Sequence, residues 1–201
     1  MIYLLIIIFY LPARILFPTK VVGRENLIKG KAIMICNHRS LLDPIMMVAL
    51  MPSVRFSFMG KKELFKGRFK SWFLKSIGVY PVDRQNVDLT SIKHTLTILK
   101  NNKPVVIFPE GTRNKQSDDS EMLQLKNGVS MFAIKGDSPI VPMYFEKKVR
   151  LFRFNRFYIG QPFNLSEYKG EKLTQPVLDA ASEKIKENLD KLREKSLAKG
   201  K

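Results

Sequence analysis

Apolar residues along this chain come in short runs, separated by polar, glycine- or proline-containing stretches. Seven runs rich in β-branched and aromatic residues lie at 19–23, 31–36, 54–59, 78–82, 104–108, 139–145 and 156–160. Short apolar runs bounded by turn residues read as strands. Segments 43–51, 68–77, 88–101 and 124–136 fall between several of them and read as helices. Within 88–101, Leu89, Ile92, Leu96 and Leu99 recur at helical spacing, which predicts a core-facing stripe, with His94 off it at the surface. Strand–helix alternation predicts an α/β fold: a largely parallel or mixed sheet covered by helices on both faces.

Three regions complicate that pattern. Pro142 lies inside the apolar run Ile140-Val141-Pro142-Met143-Tyr144, which predicts an edge strand or a special position. The polar stretch from Asn114 to Glu121 predicts a loop. The tail from Leu173 to Lys201 is helix-prone and mixed in charge, and predicts a solvated helix.

The N-terminus differs from everything after it. Residues 2–13 carry no charge, Arg14 interrupts, and Ile15-Leu16-Phe17-Pro18 follows. A spanning helix needs about 20 apolar residues, so this segment is short, and it contains Pro12. It lacks the basic start of a secretory signal. We read it as a short N-terminal membrane-associated helix that lies in or dips into one leaflet. A buried core helix and a tilted span are the competing readings. The chain then divides into an anchoring segment, 1–18, and one domain, 19–201, held at the cytoplasmic face of the cell membrane.

Charge narrows the choice of partner. There are 35 Lys+Arg against 18 Asp+Glu, a formal net charge of +17. That excess favours nucleic acid, an anionic membrane surface or phosphorylated substrates. Between Met59 and Lys75, cations alternate with Phe65, Phe69, Trp72 and Phe73. Such a stretch suits a membrane interface, single-stranded nucleic acid, or core aromatics beside solvated lysines. The apolar N-terminus and the lack of a nucleic-acid motif argue against nucleic acid. The single cysteine, Cys36, excludes an internal disulfide and reads as a buried strand residue. With only two histidines beside it, a Cys/His zinc site is excluded in practice.

Four segments carry candidate chemistry. Asn37-His38-Arg39-Ser40-Leu41-Leu42-Asp43-Pro44 directly follows an apolar strand, a common place for active sites in α/β sheets. In one continuous helix His38 and Asp43 would lie about 140° apart, so they meet only if the chain turns first. A His held by an Asp is a general base in a fixed tautomer. The same residues allow a second reading, in which Ser40 and Asp43 form a capping box and His38 is structural. Phe108-Pro109-Glu110-Gly111-Thr112-Arg113 also leaves the end of an apolar run. Its glycine permits close backbone approach, and Arg113 offers a fork for a phosphate. Gly78-Val79-Tyr80-Pro81-Val82-Asp83-Arg84 and the run around Pro142 add little when taken singly.

Together, in this order and spacing, these segments resemble the glycerolipid acyltransferases, a family that includes 1-acyl-glycerol-3-phosphate acyltransferases. Residues 37–43 look like the first family motif, Gly78 to Arg84 like a looser second, Phe108 to Arg113 like the third, and the strand around Pro142 like the fourth. The resemblance spans about Val21 to Pro162. It implies a glycerol-3-phosphate acyltransferase-like fold with His38 and Asp43 as catalytic dyad. It also implies that Glu110, Gly111, Thr112, Arg113 and Arg84 bind the acceptor, joined by Lys61, and that Pro142 shapes the acyl-donor region. The implied reaction moves an acyl group from acyl carrier protein or coenzyme A to the sn-2 hydroxyl of lysophosphatidic acid. It needs no metal or cofactor beyond that thioester. The alternatives are a related enzyme acting on glycerol-3-phosphate or another lysophospholipid, and a non-catalytic lipid-binding protein.

Overall fold

The computed structural model describes residues 12–83, 89–109 and 119–198, with the backbone alone described for 119–126. Seven strands form one sheet: β1 (Thr19–Val22), β2 (Ile33–Cys36), β3 (Ser57–Lys61), β4 (Val79–Val82), β5 (Val105–Ile107), β6 (Ile140–Phe145) and β7 (Asn155–Ile159). Among the described residues, five helices accompany it: α1 (Asp43–Leu50), α2 (Arg68–Ser76), α3 (Leu89–Lys100), α4 (Asp119–Gly136) and α5 (Gln175–Ala198). Every strand and helix expected after the N-terminal segment is present. A short helical turn covers 12–16, and residues 1–11 of the apolar segment lie outside the described residues.

The strand order is β1-β7-β6-β2-β5-β3-β4. The five strands from β6 to β4 run parallel, whereas β7 pairs antiparallel with β6 and parallel with β1. The sheet is therefore mixed. Side-chain alternation gives it two apolar faces. Met34, Cys36, Val106 and Met143 pack with Met46 and Met47 of α1 on one face. Ile33, Ile35, Val105 and Ile140 pack with Leu99, Phe132 and Ile185 of α3, α4 and α5 on the other. Both faces are covered, so β2, β5 and β6 are buried at every position. Cys36 lies among them, fully buried as expected.

Three expectations need correction. Pro142 is not on an edge strand, because β6 lies between β2 and β7. Its missing N–H falls where the β7 ladder ends: Gly160, just past β7, donates to the Pro142 carbonyl at 2.8 Å, and the return bond of that pair is the one proline cannot make. The strand thus loses one bond at a ladder terminus, not mid-sheet. Second, α4 begins at Asp119, so the end of the stretch expected to be a loop is helical. Third, Leu89 does not join the α3 core stripe: it is exposed, and Ser91, Thr95, Ile98 and Leu99 are the buried positions. Leu89 is the first described residue of α3 and lies outside the core clusters. His94 is exposed as expected, with its ring edge against Tyr80.

Gly78 opens β4 at φ +85°, where a Cβ would collide with the carbonyl oxygen of Phe56. The glycine of the second motif is therefore a backbone requirement that lets β4 pair with β3.

Candidate active site

All five parallel strands end at one edge of the sheet, and the candidate segments follow their carboxyl ends. The Asn37 to Leu42 turn leaves β2, Phe108 and Pro109 leave β5, Lys61 closes β3, and Asp83 leaves β4. This is the usual position for a ligand crevice in an α/β sheet.

The β2 turn is held from both sides. The Asn37 side chain donates to the Phe145 carbonyl at 3.0 Å and accepts from the Phe145 N–H at 2.8 Å. It continues the β2–β6 ladder one step beyond the paired backbone. Arg39 donates to the Tyr144 hydroxyl at 2.9 Å, and its guanidinium carbon lies 5.6 Å from the Tyr144 ring centroid. His38 emerges on the opposite side and stacks on Phe108, with ring centroids 4.4 Å apart. Phe108 stacks in turn near Phe58. The root of the third motif is thus the platform beneath the imidazole.

The turn carries Asp43 back to His38. Asp43 is the first residue of α1, followed by Pro44 at a helix position that needs no N–H. One carboxylate oxygen, Oδ2, accepts from His38 Nδ1 at 3.0 Å and from the backbone N–H groups of Arg39 and Ser40 at 2.7 Å each. Oδ1 is buried without a hydrogen-bond partner among the described residues. Asp43 is fully buried, and the His38 side chain retains 15% exposure. A carboxylate only accepts, so the proton on Nδ1 points to Asp43 and the Nε2 lone pair is left for a substrate. Nε2 has no partner among the described residues. That arrangement can remove a proton from a hydroxyl and hold the imidazolium that results.

Both readings of Ser40-x-x-Asp43 are thus partly realised by the same oxygen. Asp43 Oδ2 accepts from the Ser40 N–H as a capping box would. Ser40 Oγ, however, accepts from Leu42, and Leu42 occupies the cap position with no side-chain cap bond.

The remaining candidates separate. Lys61 stands half-exposed at the end of β3, 4.0 Å from Glu63. β5 lies between it and β2, so it shares the His38 edge without touching the dyad. Arg84, Glu110, Gly111, Thr112 and Arg113 lie outside the described residues. Lys62 and Asp83, joined by an ion pair, bring the ends of β3 and β4 together just before Arg84. Pro142 is not brought to the dyad. Its position shares a face with Ile140, toward α5, and a Cβ on Gly160 would meet both its ring and Leu192. Among the described residues no group of His, Cys, Asp and Glu could hold a metal ion. Sequence reasoning did not assign Asn37, Arg39 or Phe108 a role. Asn37 and Arg39 flank the histidine directly, but their partners Phe145 and Tyr144 lie over 100 residues away.

Residues 18–146 match the Acyltransferase family. The chain belongs to that family. This acyltransferase is 33% identical over 183 residues to the 1-acyl-sn-glycerol-3-phosphate acyltransferase of Bacillus subtilis, covering 86% of this chain and 89% of that one. Proteins of the same name from Streptococcus pneumoniae and Saccharomyces cerevisiae are 26% and 34% identical. Those matches cover 82% and 87% of this acyltransferase, and it spans 61% and 60% of their lengths. The fold resembles the crystal structure of the 1-acyl-sn-glycerophosphate (LPA) acyltransferase PlsC from Thermotoga maritima, with a TM-score of 0.58 at 20% identity, over 89% of this chain and 72% of that one.

Proposed function

We propose that this acyltransferase transfers a fatty acyl group from acyl carrier protein or coenzyme A to the sn-2 hydroxyl of 1-acyl-sn-glycerol-3-phosphate, giving phosphatidic acid. The observation that carries the reading is the His38–Asp43 pair, with Nδ1 engaged and Nε2 open at the strand edge. The names of its relatives support the acceptor.

In this reaction His38 Nε2 takes the proton of the acceptor hydroxyl as its oxygen attacks the thioester carbonyl carbon. Asp43 stabilises the imidazolium. The tetrahedral intermediate collapses with cleavage of the carbon–sulfur bond, and the thiolate departs and recovers the proton. A simple thiol has a pKa of about 8.5, so the leaving group needs little help and no serine nucleophile is required. Arg84, Lys61 and the segment Glu110-Gly111-Thr112-Arg113 hold the glycerol-phosphate part of the acceptor and fix its hydroxyl at Nε2. Positioning of that kind is worth several kcal/mol. Pro142 contributes to the acyl-donor region through the strand it stiffens.

The acceptor is a membrane lipid, so the protein works at an anionic leaflet on the cytoplasmic face, with residues 1–18 as anchor and 19–201 as the catalytic domain. Among the described residues no helix is long and apolar enough to cross a membrane.

The test is transfer of a labelled acyl chain to lysophosphatidic acid, with both thioester donors supplied, for wild type beside His38→Ala. Labelled phosphatidic acid from wild type alone supports reaction, acceptor and base together. Equal product from the variant would remove the base. Product only with glycerol-3-phosphate or another lysolipid would reassign the acceptor.

A further inference from the structure

We propose that the edge of the sheet carrying His38 docks on an anionic phospholipid surface through two aromatic prongs, the outer stripe of α2 and the loop 150–154. The proposal rests on the lipid-acceptor reading above and adds the surface that delivers the site to its substrate.

The first prong is a helix turned inside out. Amphipathic surface helices normally face their apolar stripe to the core. In α2 no residue is buried. Phe69, Trp72 and Phe73, spaced i, i+3, i+4, are 77%, 48% and 37% exposed, while Leu74 packs inward. Phe69 and Trp72 rest against one another, ring centroids 6.0 Å apart.

The second prong is a loop built to show its rings. Leu151, Phe152 and Phe154 are 49%, 69% and 66% exposed. Phe152 sits at φ +53°, an uncommon conformation for an aromatic residue, and its N–H donates to the Leu16 carbonyl at 2.7 Å. The buried Asn155 ties the loop base, accepting from the Arg150 N–H and donating to the Arg153 carbonyl. The rings are displayed from a braced backbone.

The loop 150–154 lies at the edge where His38 emerges, and α2 starts near that edge and runs back beside the sheet to β4, which is parallel to β3. The loop joins the end of β6 to the start of β7, and α2 follows the end of β3. From β7 to β3 is four strand spacings, about 19 Å in all, with β2 midway. Leu41, in the His38 turn, and Leu64, after β3, are also exposed between them.

Charge names the partner. Residues 61–75 hold six Lys/Arg against one Glu, and residues 146–156 hold five against one. On α5, behind the opposite face, five cations balance five acids. Exposed aromatic and aliphatic side chains rimmed by cations match an anionic bilayer interface. Aliphatic residues at the centre of the patch would gain nothing from stacking on bases, which disfavours nucleic acid as the occupant.

Trp72 is the only tryptophan in the chain, so its fluorescence reports on the first prong in the full-length protein. Phe152→Trp in a Trp72→Phe background reports on the second. With vesicles of phosphatidylcholine and phosphatidylglycerol, both probes should shift to the blue and be quenched by brominated acyl chains. With phosphatidylcholine alone the effect should weaken. Phe152→Asp with Phe154→Asp should lower partition at least about tenfold, since each loses the burial of a large apolar side chain. The proposal fails if either probe keeps its water-exposed emission on vesicle-bound protein, because the N-terminal segment would then be the sole attachment. It also fails if the emission changes with protein concentration alone, which marks a contact between copies, or with a single-stranded oligonucleotide in place of vesicles. None of these readouts needs turnover, so a failed transfer assay and a failed docking face are distinguishable.

Discussion

The side-chain amide of Asn37 forms both hydrogen bonds of a ladder step with the backbone of Phe145, across 108 residues of sequence. It is the tie between the end of β2, which carries His38, and the end of β6. Truncation would leave the buried Phe145 N–H and carbonyl without that partner. Asn37→Ala should cost about 2–4 kcal/mol of stability, measured by urea denaturation. Acyl transfer should fall in the fraction that remains folded, because the His38 turn loses its fixed end.

Asp43→Asn separates catalysis from capping. An amide oxygen can still accept from the Arg39 and Ser40 N–H groups, so the turn should persist. It carries no charge to stabilise the imidazolium. Activity should drop about 10³–10⁴-fold with little change in thermal unfolding. A drop of less than tenfold would mean that Asp43 serves the helix start alone.

Gly160 and Pro142 form a packing pair. A Cβ on Gly160 would stand 2.8 Å from the Pro142 ring and 3.3 Å from Leu192. Gly160→Ala should cost about 1–3 kcal/mol from overpacking. Combining it with Pro142→Ala should return part of that loss, giving a coupling above about 0.5 kcal/mol in a double-mutant cycle.

The outer helix is pinned by a pH-sensitive contact. Glu167 accepts from Lys184 of α5, and that hydrogen bond holds the Glu167 carboxyl below its ordinary value. A depressed carboxylate contributes stability above its unfolded pKa, and loses it as pH falls through the folded one. Both partners are more than a third exposed, so solvent screening limits the pair to below about 1 kcal/mol. Glu167→Gln should therefore lower stability slightly at neutral pH, and the gap to wild type should close in acid. Urea midpoints measured across that range check the sign.

The sequence by itself determined the elements and the pairing of His38 with Asp43. Strand runs such as Ile33–Cys36 and Ile140–Phe145 are apolar at every position, and burial on both sides of a sheet requires that. His38 and Asp43 are five residues apart, so a turn followed by a helix start was enough to suggest that they meet. Contacts between neighbours in the chain are written locally.

Only the tertiary structure decided the strand order, the interior place of Pro142, the Asn37–Phe145 tie, and the Phe108 platform under His38. It also decided that Phe69 and Phe152 face outward while Phe58 and Phe145 are buried. A phenylalanine has the same apolar character in every one of those places. Which face it meets depends on strands and helices far away in sequence, whose pairing is set by the closing of the whole sheet.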